Sequence, residues 1–202
     1  MTGPRTYGDP CGVAKALDAI GERWALLIVR ELTYEPRRFT DLRADLGASP
    51  NVLTQRLAEM EEAGVVERRT SGGAQYDLTD WGRALHPVLV QLARWGMASQ
   101  DTPTGPMSPS SLMLELEARF RPDPSMGREA LAEIRLSGEV FSLTIGHQSL
   151  AITRARLPNP DVIIETDVPT LHAALTGDHL PPTHIRGDTD LVGKLLGRFR
   201  SP

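Results

Sequence analysis

Between Ser49 and Leu78 the chain reads SPNVLTQRLAEMEEAGVVERRTSGGAQYDL, and its apolar positions change period midway. Leu53, Leu57 and Met60 recur at i, i+4 and i+7, which predicts a helix with one buried face. Ser49 suits the N-cap, Pro50 the first helical position, and Gly64 a left-handed closing residue. The rhythm then shortens. Val65 to Arg69 reads as a strand, Thr70-Ser71-Gly72-Gly73 as a turn, and Ala74 to Leu78 as a returning strand with Tyr76 and Leu78 on one side. Upstream, the run from Arg37 to Leu42 opens a helix that Gly47 closes, with Phe39, Leu42 and Leu46 as its buried face. Two further stripes flank this region. Val13, Leu17 and Ile20 form one. Leu85, Val88, Leu89, Leu92 and Trp95, after a Thr79 N-cap, form the other, with Pro87 expected to kink it.

A helix followed by a two-stranded hairpin, with a second helix just before it, is the outline of a winged helix-turn-helix. At about 100° per residue, Asn51, Gln55, Ala58 and Glu62 lie opposite Leu53. Asn51 and Gln55 sit toward the helix N-terminus, the end that meets base edges, and both side chains pair bidentately with adenine. Thr54 and Arg56 flank them. Arg68 and Arg69 on the hairpin suit phosphates or a minor groove, and Arg37 and Arg38 suit a phosphate near a helix start. The plainer alternatives are an amphipathic surface helix and solvated arginines.

The second half has another rhythm. Residues 99–111, with three prolines and a glycine, read as a linker. A helix follows, with Leu112, Leu116 and Phe120 four apart. Ala130–Ser137, Glu139–Ile145 and Gln148–Arg154 are strand-like runs joined as hairpins by Ser137-Gly138 and Gly146-His147. Asp161–Asp167 is another strand. A helix from about Pro169 to Thr176 ends at Gly177, Thr183–Arg186 is extended, and Asp188 caps a last helix carrying Leu191, Leu195 and Phe199. The fold class expected is α+β. Its parts are residues 1–98 for DNA binding and dimerisation, 99–111 as linker, and 112–202 as a small α+β domain.

Composition changes this picture little. The chain has 202 residues, 40% of them hydrophobic, and a formal net charge of −4. Affinity for DNA must therefore come from local arginines, not a global field. No apolar run reaches the roughly 18 residues that span a membrane, and the opening MTGPRTYGDP has no signal-peptide core. A single cysteine, Cys11, fits a reducing cytoplasm. Enzyme readings are weak. His172, His179 and His184, with Asp178 and Asp188, match no metal-ligand spacing, and Ser49, Ser142 and Ser149 have no nucleophile elbow. Neither a metal nor a cofactor is expected.

Residues 9–98 resemble the HxlR family of bacterial transcriptional regulators, relatives of the MarR type. The matching residues are Cys11, Ala14, Ile20-Gly21-Glu22-Arg23-Trp24, Leu26-Leu27-Ile28, Arg30-Glu31-Leu32, Arg38 to Leu42, Ser49 to Leu57, Leu78-Thr79, Gly82, Leu85, Pro87-Val88-Leu89 and Trp95. Gly12 departs from the proline usual there. The resemblance implies a homodimer, with the two flanking stripes pairing across a two-fold axis. Some members sense oxidants through a cysteine near position 11. The residues alone read Cys11 as a small packed side chain.

Residues 112–200 resemble the sterol carrier protein type two superfamily. The resemblance rests on Asp161 to Ile164, Asp167, Thr170-Leu171, Leu175, Gly177, Gly187-Asp188, Leu191, Leu195, Leu196 and Phe199. It implies an apolar pocket for a hydrophobic small molecule, with Phe120, Phe141, Leu143, Leu171, Leu175, Leu195 and Phe199 as its lining. The same residues would serve any small α+β core. The reading is a homodimeric regulator, a repressor, that binds double-stranded DNA and no membrane. The alternative is a ligand carrier or protein-interaction module whose winged helix does not read DNA.

Overall fold

A computed structural model describes residues 6–70, 73–100, 105–124, 128–177 and 180–199. Ser71 and Gly72 of the expected turn, 101–104 of the expected linker, Asp178 and His179, and residues 1–5 of the opening segment lie outside them. The chain divides into two compact units, Met1–Leu89 and Val90–Pro202. No helix among the described residues is long and apolar enough to cross a membrane.

The first unit runs α1 (Gly12–Ile20), α2 (Ala25–Leu32), β1 (Arg37–Arg38), α3 (Phe39–Leu46), α4 (Pro50–Glu62), β2 (Val66–Arg69), β3 (Gln75–Leu78) and α5 (Asp80–Arg83). Its core is Ile28, Val29 and Leu32 of α2, Leu42 and Leu46 of α3, Leu53, Leu57 and Met60 of α4, and Val65, Val66 and Leu78. Phe39 is only half-buried, so it borders this core and does not fill it. The three strands form one antiparallel sheet in the order β1-β3-β2. The strand Arg37–Arg38 carries no apolar alternation, so periodicity gives no sign of it. The sequence places these residues at the start of α3, and the structure corrects this.

Local chemistry explains the boundaries of α4. The Ser49 hydroxyl accepts from the Val52 amide at 3.4 Å, and Pro50 occupies the first turn, where its missing N–H is not needed. At the other end the Gly64 amide donates to Glu61 O and the Val65 amide to Met60 O, with Gly64 at φ +74°. That pair of bonds is a Schellman closure, and its left-handed residue favours glycine.

The expected single helix after Thr79 is two. Thr79 Oγ1 accepts from Gly82 N and caps the short α5, and α6 (His86–Gly96) begins afresh with Pro87 in its first turn. Pro87 therefore separates two helices and does not kink one. The division between the two units falls after Leu89, within α6.

The second unit adds α7 (Pro109–Arg119), β4 (Ala130–Leu136), β5 (Glu139–Ile145), β6 (Leu150–Thr153), β7 (Val162–Thr166), α8 (Val168–Thr176), a 3₁₀ turn at Pro182–His184, β8 (Ile185–Gly187) and α9 (Thr189–Phe199). Its five-stranded sheet has the order β6-β5-β4-β7-β8. The hairpins expected from the turns are present, but β7 pairs with β4 in parallel, from Ala132↔Val162 to Leu136↔Thr166. Sequence pattern identifies strands, not their neighbours. One face of the sheet carries Ile134, Phe141, Leu143 and Ile164, buried with Leu112 and Leu116 of α7, Leu171 and Leu175 of α8, and Leu195 and Phe199 of α9. Asp188 caps α9 through the Leu191 amide at 2.9 Å.

Gly82 packs where α5 meets the start of β2. A Cβ there would collide with the Val65 carbonyl oxygen, a backbone atom that cannot swing away. We expect Gly82→Ala to lower the urea unfolding midpoint, at a cost of about 1–3 kcal/mol from overpacking. An unchanged midpoint would contradict this packing.

Candidate nucleic-acid interface

α3 and α4 are joined by Gly47-Ala48-Ser49, a three-residue turn of helix-turn-helix length, with Gly47 at φ +62°. Burial of Leu53, Leu57 and Met60 fixes which way α4 faces, each such side chain contributing about 1.5–3 kcal/mol. The opposite face is left to solvent. Asn51, Thr54 and Gln55 are exposed on its N-terminal half, as is the N-cap Ser49.

Arg56 is placed differently from its sequence neighbours. Only 13% of its side chain is exposed, and its guanidinium pairs with Glu59 and, at 3.5 Å, with Glu22. Glu59 also accepts from Gln55 Nε2 at 2.9 Å. One carboxylate thus holds the two longest side chains near the exposed face. Spacing carries the signal for Glu59, which stands at i+3 from Arg56 and i+4 from Gln55, where helical side chains meet.

The wing sorts its arginines by strand register. Arg38, Gln75 and Arg69 are opposite one another across the three strands, as are Arg37, Tyr76 and Arg68. Opposed residues share a face and successive ones alternate, so Arg68 and Arg69 project from opposite faces. Arg37 is buried and ion-paired with Glu35 at 3.1 Å and Asp45 at 2.6 Å. As a phosphate clamp it is corrected by this placement: it holds β1 against α3. Arg38 and Arg68 are exposed and have no ion pair among the described residues, and the Arg38 guanidinium comes within 3.7 Å of where a Gly73 Cβ would lie, near the hairpin turn.

Arg69 belongs to a different arrangement. Its Nη2 lies 2.7 Å from Asp77 Oδ2, and its Nε lies 3.2 Å from Glu67. Asp77 is buried, and the same carboxylate receives Arg83 Nη2 of α5 at 2.8 Å and the Leu78 amide at 2.7 Å. Sequence spacing gives no hint of Asp77, because its partners come from two other elements.

Cys11 is exposed, so the reading of it as a packed side chain is corrected. It stands at the N-cap of α1 and its side chain makes no capping bond. Along α1 and α6 the expected apolar stripes are largely uncovered: Val13, Leu17, Val88, Leu92 and Trp95 are all exposed, Trp95 at 78%.

The expected apolar pocket of the second unit is corrected as well. Phe141, Leu143, Leu171, Leu175 and Leu195 are close-packed core, each at most 3% exposed. The Phe120 and Phe199 rings meet at 6.1 Å, tilted by 45°, and border an open depression of about 260 Å³ with Arg94, Arg119 and Arg121. A larger open cavity, about 410 Å³, has Arg135, Glu139, Val140, Arg156, Glu165 and Thr166 in its wall. It sits where β4, β5 and β7 end, near the buried Glu133. Burial opposes ionisation of Glu133. The Leu157 amide, a hydrogen bond from Arg135, and the charges of Arg135 and Arg156 together outweigh it and hold the carboxyl below its usual range. Among the described residues, no group of three or more His, Cys, Asp or Glu is placed to hold a metal.

Asp77→Asn should loosen the wing without unfolding the unit. Breaking a buried ion pair costs about 3–5 kcal/mol. Here Arg69 and Arg83 are 44% and 46% exposed and rehydrate when released, which reduces the cost to about 1–2 kcal/mol. Chemical denaturation should show that difference, and hydrogen exchange should quicken at β2 and β3. Wild-type exchange in these strands would refute the tethering role.

Comparison with known proteins places the first unit. A family model described as HxlR-like helix-turn-helix matches residues 19–103. The HTH-type transcriptional regulator YvaP of Bacillus subtilis is 41% identical over 86 residues, which are 40% of this chain and 80% of that protein. The HTH-type transcriptional regulator Rv3095 of Mycobacterium tuberculosis is 38% identical over 98 residues, or 46% of this chain. The match spans 62% of the mycobacterial relative's length. The solved redox regulator HypR in its oxidized form is 30% identical, and the match covers 46% of this chain and 100% of that one at a TM-score of 0.43. These three proteins are named as regulators. On the extent of the match to YvaP, the chain belongs to the HxlR-like helix-turn-helix family.

Proposed function

We propose that the protein is a transcription regulator that binds specific double-stranded DNA as a homodimer. The observation that carries this reading is the pairing of two surfaces in the first unit. Asn51, Thr54 and Gln55 are exposed at the N-terminal half of a helix-turn-helix second helix, and Arg38 and Arg68 stand exposed on opposite faces of its wing with no ion pair among the described residues. In this reading α4 enters a major groove. Asn51, Thr54 and Gln55 read base edges, while Arg38 and Arg68 neutralise phosphates. Ser49, at the helix start, offers a further phosphate contact. Arg56 joins the interface only by exchanging Glu59 and Glu22 for the DNA backbone. Arg69 supports the wing through Asp77 and touches DNA secondarily.

Dimerisation rests on the uncovered apolar residues of α1 and α6. Exposed side chains as large as Trp95 and Val13 are costly to leave in water, and a second copy of the chain would cover them. A two-fold dimer then presents two reading helices to successive turns of a near-palindromic site. Repression follows where such a site overlaps a promoter.

Binding of a duplex followed by fluorescence anisotropy over a salt series tests the assignment. Replacing Arg38 and Arg68 together by alanine should weaken binding to all sequences. The slope of log affinity against log salt should become shallower by about 0.9 for each phosphate no longer neutralised, hence by about two per protomer. Glu59→Gln should strengthen binding several-fold by freeing Arg56 and removing a charge that repels phosphate. A slope untouched by the double substitution would overturn the interface.

A further inference from the structure

We propose that Glu59 decides which bases α4 accepts, by fixing the amide of Gln55 with its carbonyl oxygen turned outward. This inference rests on the DNA-binding reading above and deepens it. Gln55 is exposed on the face of α4 assigned to base edges, and its Nε2 donates to Glu59 Oε1 at 2.9 Å.

The two ends of a glutamine amide differ in what they offer. Nε2 donates two hydrogens, and Oε1 accepts. An ionised carboxylate only accepts. Glu59 therefore holds the nitrogen end. Turning the amide over would set Oε1 against a carboxylate oxygen, losing a bond and adding a repulsion. A glutamine–carboxylate pair four apart on a helix surface is weak by itself. Here the carboxylate is anchored. Its other oxygen, Oε2, pairs with Nη1 of the largely buried Arg56, and Nη2 of Arg56 lies 3.5 Å from Glu22 in the turn between α1 and α2. One oxygen of Glu59 is thus engaged by the side chain that reads, the other by a side chain that keeps the carboxylate in place.

This orientation selects among bases. In the major groove adenine and cytosine present amino groups, where guanine and thymine present carbonyl oxygens. An outward Oε1 accepts from the amino bases and is repelled by the keto bases. The second Nε2 hydrogen remains for adenine N7, so adenine ranks first. A glutamine free to turn over would offer Nε2 to guanine or thymine and would accept all four bases. Glu59 removes that option, so the discrimination comes from the bases excluded as much as from the base bound.

Duplexes selected by the full chain provide the test. Gln55→Ala identifies the base pair that Gln55 reads, as the position whose preference it flattens. Duplexes carrying each of the four bases there, in both half-sites, are then compared by fluorescence anisotropy. Wild-type protein should bind the adenine duplex roughly tenfold or more tightly than the guanine or thymine duplex, the scale of one base contact. Glu59→Gln, whose amide offers Gln55 either a donor or an acceptor, should lose most of the adenine-to-thymine ratio, and Glu59→Ala should do the same. Thymine is the informative base, because a released Arg56 pairs bidentately with guanine and not with thymine. A general gain in affinity from the lost negative charge cancels in the ratio, as does a purely structural effect on α4. The proposal is overturned if wild-type protein favours guanine or thymine at that position, if Gln55→Ala flattens no position, or if both Glu59 variants keep the wild-type ratio. Failure of the wild-type chain to select any sequence is a distinct result, which would contradict the DNA-binding reading itself and this inference with it.

Discussion

A single carboxylate with 2% of its side chain exposed, Asp77, sets the geometry on which the wing depends. It accepts from Arg69 across the hairpin and from Arg83 one helix further on, while its own strand holds β1 and β2 on either side. Burying a carboxylate is unfavourable unless it is paired and hydrogen-bonded, and both conditions are met here. The consequence for function is a division of labour among arginines. Arg69 and Arg83 are committed to Asp77 and Arg37 to Asp45, so the cations left on the wing surface are Arg38 and Arg68. A weakly acidic chain can still leave cations available in this way, because Asp77 and Asp45 engage three arginines and leave Arg38 and Arg68 exposed, one on each face of the wing.

The helix-turn-helix was legible because each boundary has a local cause. Ser49 with Pro50, Gly47 and Gly64 act within a few residues, and the Leu53-Leu57-Met60 stripe fixes the buried face. The exposure of Asn51, Thr54 and Gln55 follows from the same periodicity. What was not legible depends on partners distant in sequence. Nothing local separates the paired Arg37 from the exposed Arg38, since the distinction lies in the β1–β3 register and in Asp45. Arg56 is an intermediate case: the pairing with Glu59 obeys helical spacing, while the one with Glu22 comes from another element.

The second unit shows the same limit from the apolar side. Alternation identified its strands, and the apolar residues of its helices were found where expected, yet whether they line a pocket or fill a core is a question of volume. Phe141, Leu143, Leu171, Leu175 and Leu195 fill it. The larger cavity lies at the strand ends, and its wall includes charged residues of β4, β5 and β7 and of the segment after β6. The parallel pairing of β7 with β4 brings Arg135 beside Glu165, and that neighbour relation cannot be read from strand patterns alone.

Selection of random duplex DNA by the purified chain at about 0.15 M salt, where non-specific binding is weak, is the decisive test of sequence reading by α4. A DNA-reading dimer should enrich a two-fold symmetric sequence with half-sites about 34 Å apart. Recovery of a pool with no enriched sequence would contradict it.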